Sequence, residues 1–333
     1  MTHRIAITGA GGAAAIALLR ALADDPFDVF AVDADPAAAG LYLVPPDRRA
    51  VAPLARDADF GSWITQWCIE QRIDLLVPTV EDEFAPIAAM VPALEAAGVR
   101  VLMENELTIA VCTDKWALSA FVGDDVPQAR TQVLNEDFEP DRWDFPLMVK
   151  PRRASGSRGI ARIEHARDLA AVPHDGSMLV QQLLPGTEYS VDVLCDGPGN
   201  VVAAVPRERI KIDSGIAVAS RTLYDQELIE IAGAAARSVG IRHMANVQLR
   251  RDEHGRPRLL EINARIPGTV ALTIAAGINM PRHIVRRALG LETDAIEPTF
   301  AEVAMVRLLQ DIVIDPSELA ALTTSRADVA VPA

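Results

Sequence analysis

The sequence predicts an α/β domain built on a parallel sheet, followed by a separate α+β domain. Three observations predict this. Short apolar strands alternate with helices from Arg4 to Leu102. A glycine turn, Gly9-Ala10-Gly11-Gly12, separates the first strand from the first helix. After Thr113 the alternation gives way to strands joined by turns. Alternation implies a doubly wound parallel sheet, and strands in succession imply antiparallel pairing.

The elements follow in order. Arg4–Thr8 is a short buried strand and Ala13–Ala23 a helix. Asp28–Val32 is the second strand, at βαβ distance. A helix over Phe60–Gln71 leads to strand Asp74–Pro78. Phe84–Ala97 is helical, Gly98 stops it, and Val99–Leu102 returns as a strand. In the second region Asp114-Lys115 opens a helix that runs to about Val122. Phe145–Lys150, Met178–Gln181, Tyr189–Leu194, Asn246–Arg251 and Arg258–Asn263 read as strands. Helices cover Asp225–Val239 and Pro281–Leu289, and the tail after about Pro298 is uninformative. The boundaries fall at residues 1–110, 111–180 and 181–333.

Bulk properties restrict the function. Half of the 333 residues are apolar and 23% are charged, as in an ordinary globular chain. A net charge of -14 disfavours a nucleic-acid partner. It does not disfavour a small polyanion, because a local cluster can oppose the global sign. Three scattered cysteines with no C-x-x-C fit a reducing cytoplasm, and six histidines show no metal-ligand spacing. The apolar start resembles a signal peptide, but Gly9–Gly12 interrupts it and a second strand follows. No apolar run is long enough for a membrane span.

The most informative segment is Glu261-Ile262-Asn263-Ala264-Arg265. In a strand, alternate side chains share a face. Glu261, Asn263 and Arg265 then lie together, and Leu260, Ile262 and Ala264 pack on the other side. A two-residue His254-Gly255 loop would set Gln248 opposite Glu261. A three-residue loop would break that match. Gln248, Glu261 and Asn263 offer one carboxylate and two amide oxygens, hard ligands suited to Mg²⁺ shared with phosphates. The alternative is a solvated strand face.

Upstream lies Arg152-Arg153-Ala154-Ser155-Gly156-Ser157-Arg158-Gly159, after Lys150-Pro151. Small residues let backbone N–H groups approach phosphate oxygens, and Lys150 and the arginines add positive charge. A plain surface loop is the alternative. Gln181-Gln182-Leu183-Leu184 reads as a strand entering a hinge, with Glu188 beyond it.

Together these segments resemble the ATP-grasp superfamily, and within it the carbamoyl-phosphate-synthase large-subunit-like branch in a small single-unit form. The resemblance spans the order of segments to about residue 290. It implies a Rossmann-like pre-ATP-grasp domain, then an ATP-grasp domain. Lys115 and Lys150 would direct phosphates, and Ser155, Gly156, Ser157, Arg158 and Gly159 would form the glycine loop. Gln181, Gln182 and Leu184 would read adenine, and Glu188 ribose. Gln248, Glu261 and Asn263 would hold Mg²⁺ (or Mn²⁺), with Arg265 as the catalytic arginine. Ala264 departs from the family's usual proline, and the chain has one ATP-grasp unit where a full synthase subunit has two.

The implied chemistry is ATP-dependent activation of a carboxylate as an acyl phosphate, then attack by an amine. Arg207 and Arg209 could face the carboxylate or the γ-phosphate, with Arg209 assigned to catalysis. Glu81 and Glu83, beyond strand Asp74–Pro78, could hold an ammonium group; a solvated helix N-terminus is the alternative. The expected partners are small-molecule carboxylate and amine substrates and a second copy of the chain in a homodimer, with no nucleic acid or membrane. Three rivals stay open. One is phosphorylation of bicarbonate. The second is an NAD-dependent oxidoreductase, because Gly9–Ala14 fits G-x-G-x-x-A with Asp33 beyond it. The third is a non-catalytic nucleotide-binding protein.

Overall fold

The computed structural model describes residues 2–154 and 159–329. The chain forms two compact units. Unit 1 comprises residues 1–103, 265–295 and 308–333; unit 2 comprises 104–264 and 296–307.

Unit 1 opens with β1 (His3–Thr8), α1 (Ala13–Ala21), β2 (Phe27–Asp33) and β3 (Arg49–Val51). It continues through α2 (Phe60–Glu70), β4 (Leu75–Val77), α3 (Glu81–Ala96) and β5 (Arg100–Val101). The strands form a parallel sheet in the order β3-β2-β1-β4-β5. Ile5, Ala6 and Ile7 are all fully buried, as expected for a central strand covered on both faces. The chain reverses its order beside β1, where open α/β sheets leave a crevice. α3 starts three residues earlier than the sequence suggests, so Glu81, Asp82 and Glu83 form its first turn.

Unit 2 begins with α4 (Glu106–Thr113) and α5 (Lys115–Val122). A four-stranded antiparallel sheet follows, made of β6 (Thr131–Leu134), β7 (Leu147–Pro151), β8 (Ala161–Ile163) and β9 (Met178–Gln182), in the order β6-β9-β7-β8. Next come β10 (Glu188–Cys195), β11 (Val201–Asp213), β12 (Ile216–Thr222), α6 (Gln226–Ser238), β13 (Met244–Arg251) and β14 (Pro257–Asn263). The sequence reading missed the long β11–β12 hairpin. Ser214 and Gly215, both at positive φ, form its two-residue turn.

Past Asn263 come α7 (Val270–Ala275) and α8 (Met280–Ala288) of unit 1. β15 (Ala304–Val306) then joins β12, completing the sheet β14-β13-β10-β11-β12-β15 of unit 2. α9 (Pro316–Val329) ends the described chain. The tail therefore carries structure that its composition did not reveal. Among the described residues no helix is long and apolar enough to cross a membrane.

Candidate functional site

The large sheet of unit 2 has one apolar and one polar face. Val191, Val193, Val247, Leu249 and Ile262 are buried in a core shared with Leu228, Ala232 and Ala235 of α6. Strand alternation turns their neighbours the other way. Ser190 lies opposite both Arg207 and Gln248, and Gln248 lies opposite Glu261. Asn246 lies opposite Asn263.

The pairing of Gln248 with Glu261 arises by a different route from the expected one. The β13–β14 loop is Glu253-His254-Gly255, with Asp252 N–H donating to Arg256 O at 2.9 Å. Gly255 N–H closes the turn onto Asp252 O at 3.0 Å, and Gly255 sits at φ +77. That is the three-residue loop with a left-handed closing residue. The Asp252 carboxylate fixes it by accepting from His254 N and Arg256 N, each at 2.9 Å. Alone, this loop would put Glu261 out of step with Gln248. A β-bulge restores the match, because Leu249 pairs with Leu259 and Leu260 has no partner. Leu259 takes the core position expected for Leu260, and Leu260 turns to the polar side beside Glu261.

Between the two sheets of unit 2 lies a cavity lined by Lys115, Lys150, Gln181, Gln182, Leu184, Glu188, Gln248 and Glu261. Met148, Ile160, Arg250 and Leu260 line it too, and sequence reasoning did not single them out. The Lys115 ammonium is 3.4 Å from Glu261 Oε2 and donates to Ala154 O at 2.7 Å. Lys150 is buried, and burial pulls its ammonium down to about 8 against the opposing pull of Glu261. The Gln181 amide donates to Thr131 Oγ1 at 2.8 Å. Glu188 lies between Arg209 Nε at 3.2 Å and Arg250 Nη1 at 3.7 Å.

Ser155, Gly156, Ser157 and Arg158 lie outside the described residues. Gly159 has φ +70, and a side chain there would meet the Pro151 ring at 2.9 Å, so the position requires glycine. Arg152 and Arg153 do not stand free as phosphate-facing charges. Both donate to Asp114, which the sequence marks as the start of a helix but not as a partner of these arginines.

The two arginines of β11 turn to protein partners. Arg207 is fully buried against Asp192, whose Oδ1 also accepts from the Asn246 amide at 2.9 Å. Arg209 donates from Nη2 to Gly215 O at 2.8 Å. In unit 1, Arg265 grips Glu81 through Nη2 at 2.8 Å and Nε at 3.0 Å. Glu83 is buried and accepts the Thr8 hydroxyl; burial pushes its carboxyl up to about 7.

Glu83 also lines a cavity of unit 1 with Gly9, Gly11, Asp33, Asp35, Asp82 and Arg56. Asp33 Oδ2 accepts Gly11 N–H at 2.7 Å, and Gly12 N–H donates to Gly9 O at 2.8 Å. The glycine turn therefore directs these donors inward, and four carboxylates face the space. Neither feature suits a dinucleotide pyrophosphate.

The donor set of unit 2 suits a hard divalent cation. Glu261 supplies a carboxylate, and Gln248 and Asn263 supply amide oxygens from the same face. Asn263 Nδ2 points toward Glu261 Oε1 at 3.5 Å, which orients the amide. One carboxylate among neutral oxygens leaves coordination for phosphate oxygens.

Residues 174–311 match the family model described as ATP-grasp in the biosynthetic pathway with Ter operon. Over those residues the chain is similar to ATP-grasp proteins. The chain is 23% identical over 256 residues to a putative D-alanine–D-lactate ligase of Streptomyces coelicolor, covering 66% of this chain and 72% of that one. It is 27% identical over 234 residues to a D-alanine–D-alanine ligase of Stutzerimonas stutzeri, covering 63% and 73%. Its fold is similar to that of a biotin carboxylase–βγ-ATP complex from Campylobacter jejuni, with TM-score 0.73, 17% identity and coverage of 91% and 74%. Both relatives are named as ligases.

Proposed function

We propose that the chain uses Mg-ATP to activate a carboxylate as an acyl phosphate and passes the acyl group to an amine. The observation that carries this reading is the cavity of unit 2, where Lys115, Lys150, Glu188, Gln248 and Glu261 converge. Lys115 and Lys150 hold the triphosphate, and Gln181, Gln182 and Leu184 receive the adenine. Glu188, held between Arg209 and Arg250, accepts from ribose hydroxyls. Gln248, Glu261 and Asn263 hold Mg²⁺, with Mn²⁺ as the alternative, and the bound ion would neutralise charge on the phosphates.

In the first step a carboxylate oxygen attacks the γ-phosphorus and ADP leaves. In the second the amine nitrogen attacks the acyl carbon, phosphate leaves, and the nitrogen releases its extra proton to solvent. The residues contribute positioning and positive charge rather than a nucleophile. Arg265 is assigned to the transferring phosphoryl group and Arg209 to holding Glu188; Arg207, fully buried against Asp192, takes no substrate role. Glu81 and Glu83 are assigned to an ammonium group; Glu83 lines the acidic cavity of unit 1, and Glu81 is held by Arg265. The relatives named as D-alanine ligases support amino acids as the substrate class.

The test is ADP release against a panel of amino acids and carboxylic acids, alone and in pairs, with bicarbonate included. A pair that stimulates release and yields an amide is expected. Release with bicarbonate alone would instead indicate a carbamoyl-phosphate type of reaction. Mg-ATP binding without release under any condition would indicate a non-catalytic nucleotide binder.

A further inference from the structure

Asp114 sits immediately before α5 with its side chain only 3% exposed. Five donors converge on it. Oδ1 accepts Trp116 N–H at 3.0 Å, Ala117 N–H at 3.3 Å and Arg152 Nε at 3.3 Å. Oδ2 accepts Arg152 Nη2 at 2.7 Å and Arg153 Nε at 3.3 Å. Burial works to raise its pKa, but the Arg152 and backbone hydrogen bonds outweigh it and hold the carboxyl below its ordinary range. The carboxylate therefore does two things: it caps the helix that begins with Lys115, and it neutralises arginines on the segment leaving β7.

Lys115 makes the same connection from its own side. Its backbone N–H donates to Arg152 O at 3.1 Å, and its ammonium to Ala154 O at 2.7 Å. That ammonium also stands 3.4 Å from Glu261. A lysine on the first turn of a helix is placed no better than the helix start itself. Here the start is held by a charge-assisted pair to Arg152, among the stronger hydrogen bonds in proteins. Without Asp114, two guanidinium groups beside the glycine-rich segment would also be unneutralised and would attract phosphate to the wrong place.

We infer that Asp114 is the positioning residue of the phosphate grip: it fixes Lys115 and the segment Arg152–Ala154 as one piece. The inference rests on the Mg-ATP reading of the unit 2 cavity. It separates the two ends of the nucleotide. Adenine and ribose are assigned to Gln181–Leu184 and Glu188, on other elements. Asp114 should matter for phosphates and not for the nucleoside.

The experiment is calorimetric titration of the full chain with ATP plus Mg²⁺ and, separately, with adenosine. Asp114→Asn keeps a good capping side chain and removes the charge. It should weaken ATP binding about tenfold or more, the scale of one charge-assisted hydrogen bond, and leave adenosine within about twofold. Arg152→Gln should show the same phosphate-selective loss. The double variant should be little worse than either single one, because both remove the same pair. Should Asp114→Asn fail to fold, Arg152→Gln decides alone. An unchanged ratio of ATP to adenosine affinity overturns the inference, and so does an equal loss for both ligands, which would mark a structural role only. If the unaltered protein binds no ATP, the Mg-ATP reading itself fails and the inference falls with it.

Discussion

In unit 2, Lys115, Lys150 and Arg250 meet Glu188 and Glu261 around one cavity, whereas in unit 1 Asp33, Asp35, Asp82 and Glu83 meet Arg56 around another. Both regions looked like phosphate sites in the sequence, each with a glycine-rich turn after a strand. Their charge separates them. In unit 2 buried ammonium groups face the space, and in unit 1 carboxylates do. The backbone of unit 1 adds to this. The Gly11 N–H that a pyrophosphate would need is already held by Asp33. A glycine turn becomes a phosphate site only where its donors point outward and the nearby side chains are cationic.

Substitutions can break this contrast. The largest effect is expected at Lys150, because its ammonium is buried and cannot be replaced by solvent. Lys150→Met should reduce ATP affinity and turnover by about 100-fold or more, on the scale of a lost charged contact in a dry site, read by calorimetry and ADP release. Glu261→Gln comes next. It should lower ADP release by roughly 10- to 100-fold at fixed Mg²⁺, with part of the loss recovered at higher Mg²⁺. If either variant binds and turns over normally, the unit 2 cavity is not the nucleotide site.

The two shifted groups give opposite pH signatures. Burial holds Lys150 at about 8, down from 10.5, so the folded state binds fewer protons than the unfolded one between those values. Stability should therefore rise with pH across 8 to 10.5, while ATP affinity falls as the ammonium is lost. Burial holds Glu83 at about 7, up from 4.5, so the folded state binds more protons in that window. Its contribution to stability is complete below 4.5 and is lost as pH rises through 7. Glu83→Gln should flatten the dependence of Tm on pH between 4.5 and 7 without changing ATP affinity. A matching loss of ATP affinity would mean that Glu83 acts on nucleotide binding.

The smallest effect is expected at Arg209. Its polar contacts go to Glu188 and Gly215 O, so Arg209→Ala should loosen Glu188 rather than remove a substrate contact. The expected outcome is a rise of about fivefold in KM for ATP with little change in kcat, as for a lost partly exposed ion pair. Unchanged steady-state kinetics would remove Arg209 from the site altogether.

Much of the fold was legible because it rests on local signals. The strands and helices of unit 1 follow from alternation, Gly98 and the glycine turn. The β11–β12 hairpin is not legible, because its turn puts Ser214 at positive φ, a conformation that serine does not announce. Gln248 and Glu261 pair through a three-residue loop and a bulge, not through the two-residue loop that their spacing suggests. Asp252 gave a readable sign of the longer loop, since its side chain accepts from the turn backbone. Leu260 gave none, because a bulge is set by the partner strand.

The sequence by itself determined which residues could make a nucleotide site: two lysines, a glycine-rich segment, and a strand with one carboxylate and an amide. Periodicity and residue chemistry are local, and they survive without coordinates. Only the tertiary structure decided how the charges are balanced. Arg152 and Arg153 read as positive charge beside a phosphate loop and are held by Asp114; Arg207 read as substrate-facing and is buried against Asp192. A charge acts on whatever lies within a few ångströms of it, and in this chain those neighbours come from 15 to 39 residues away.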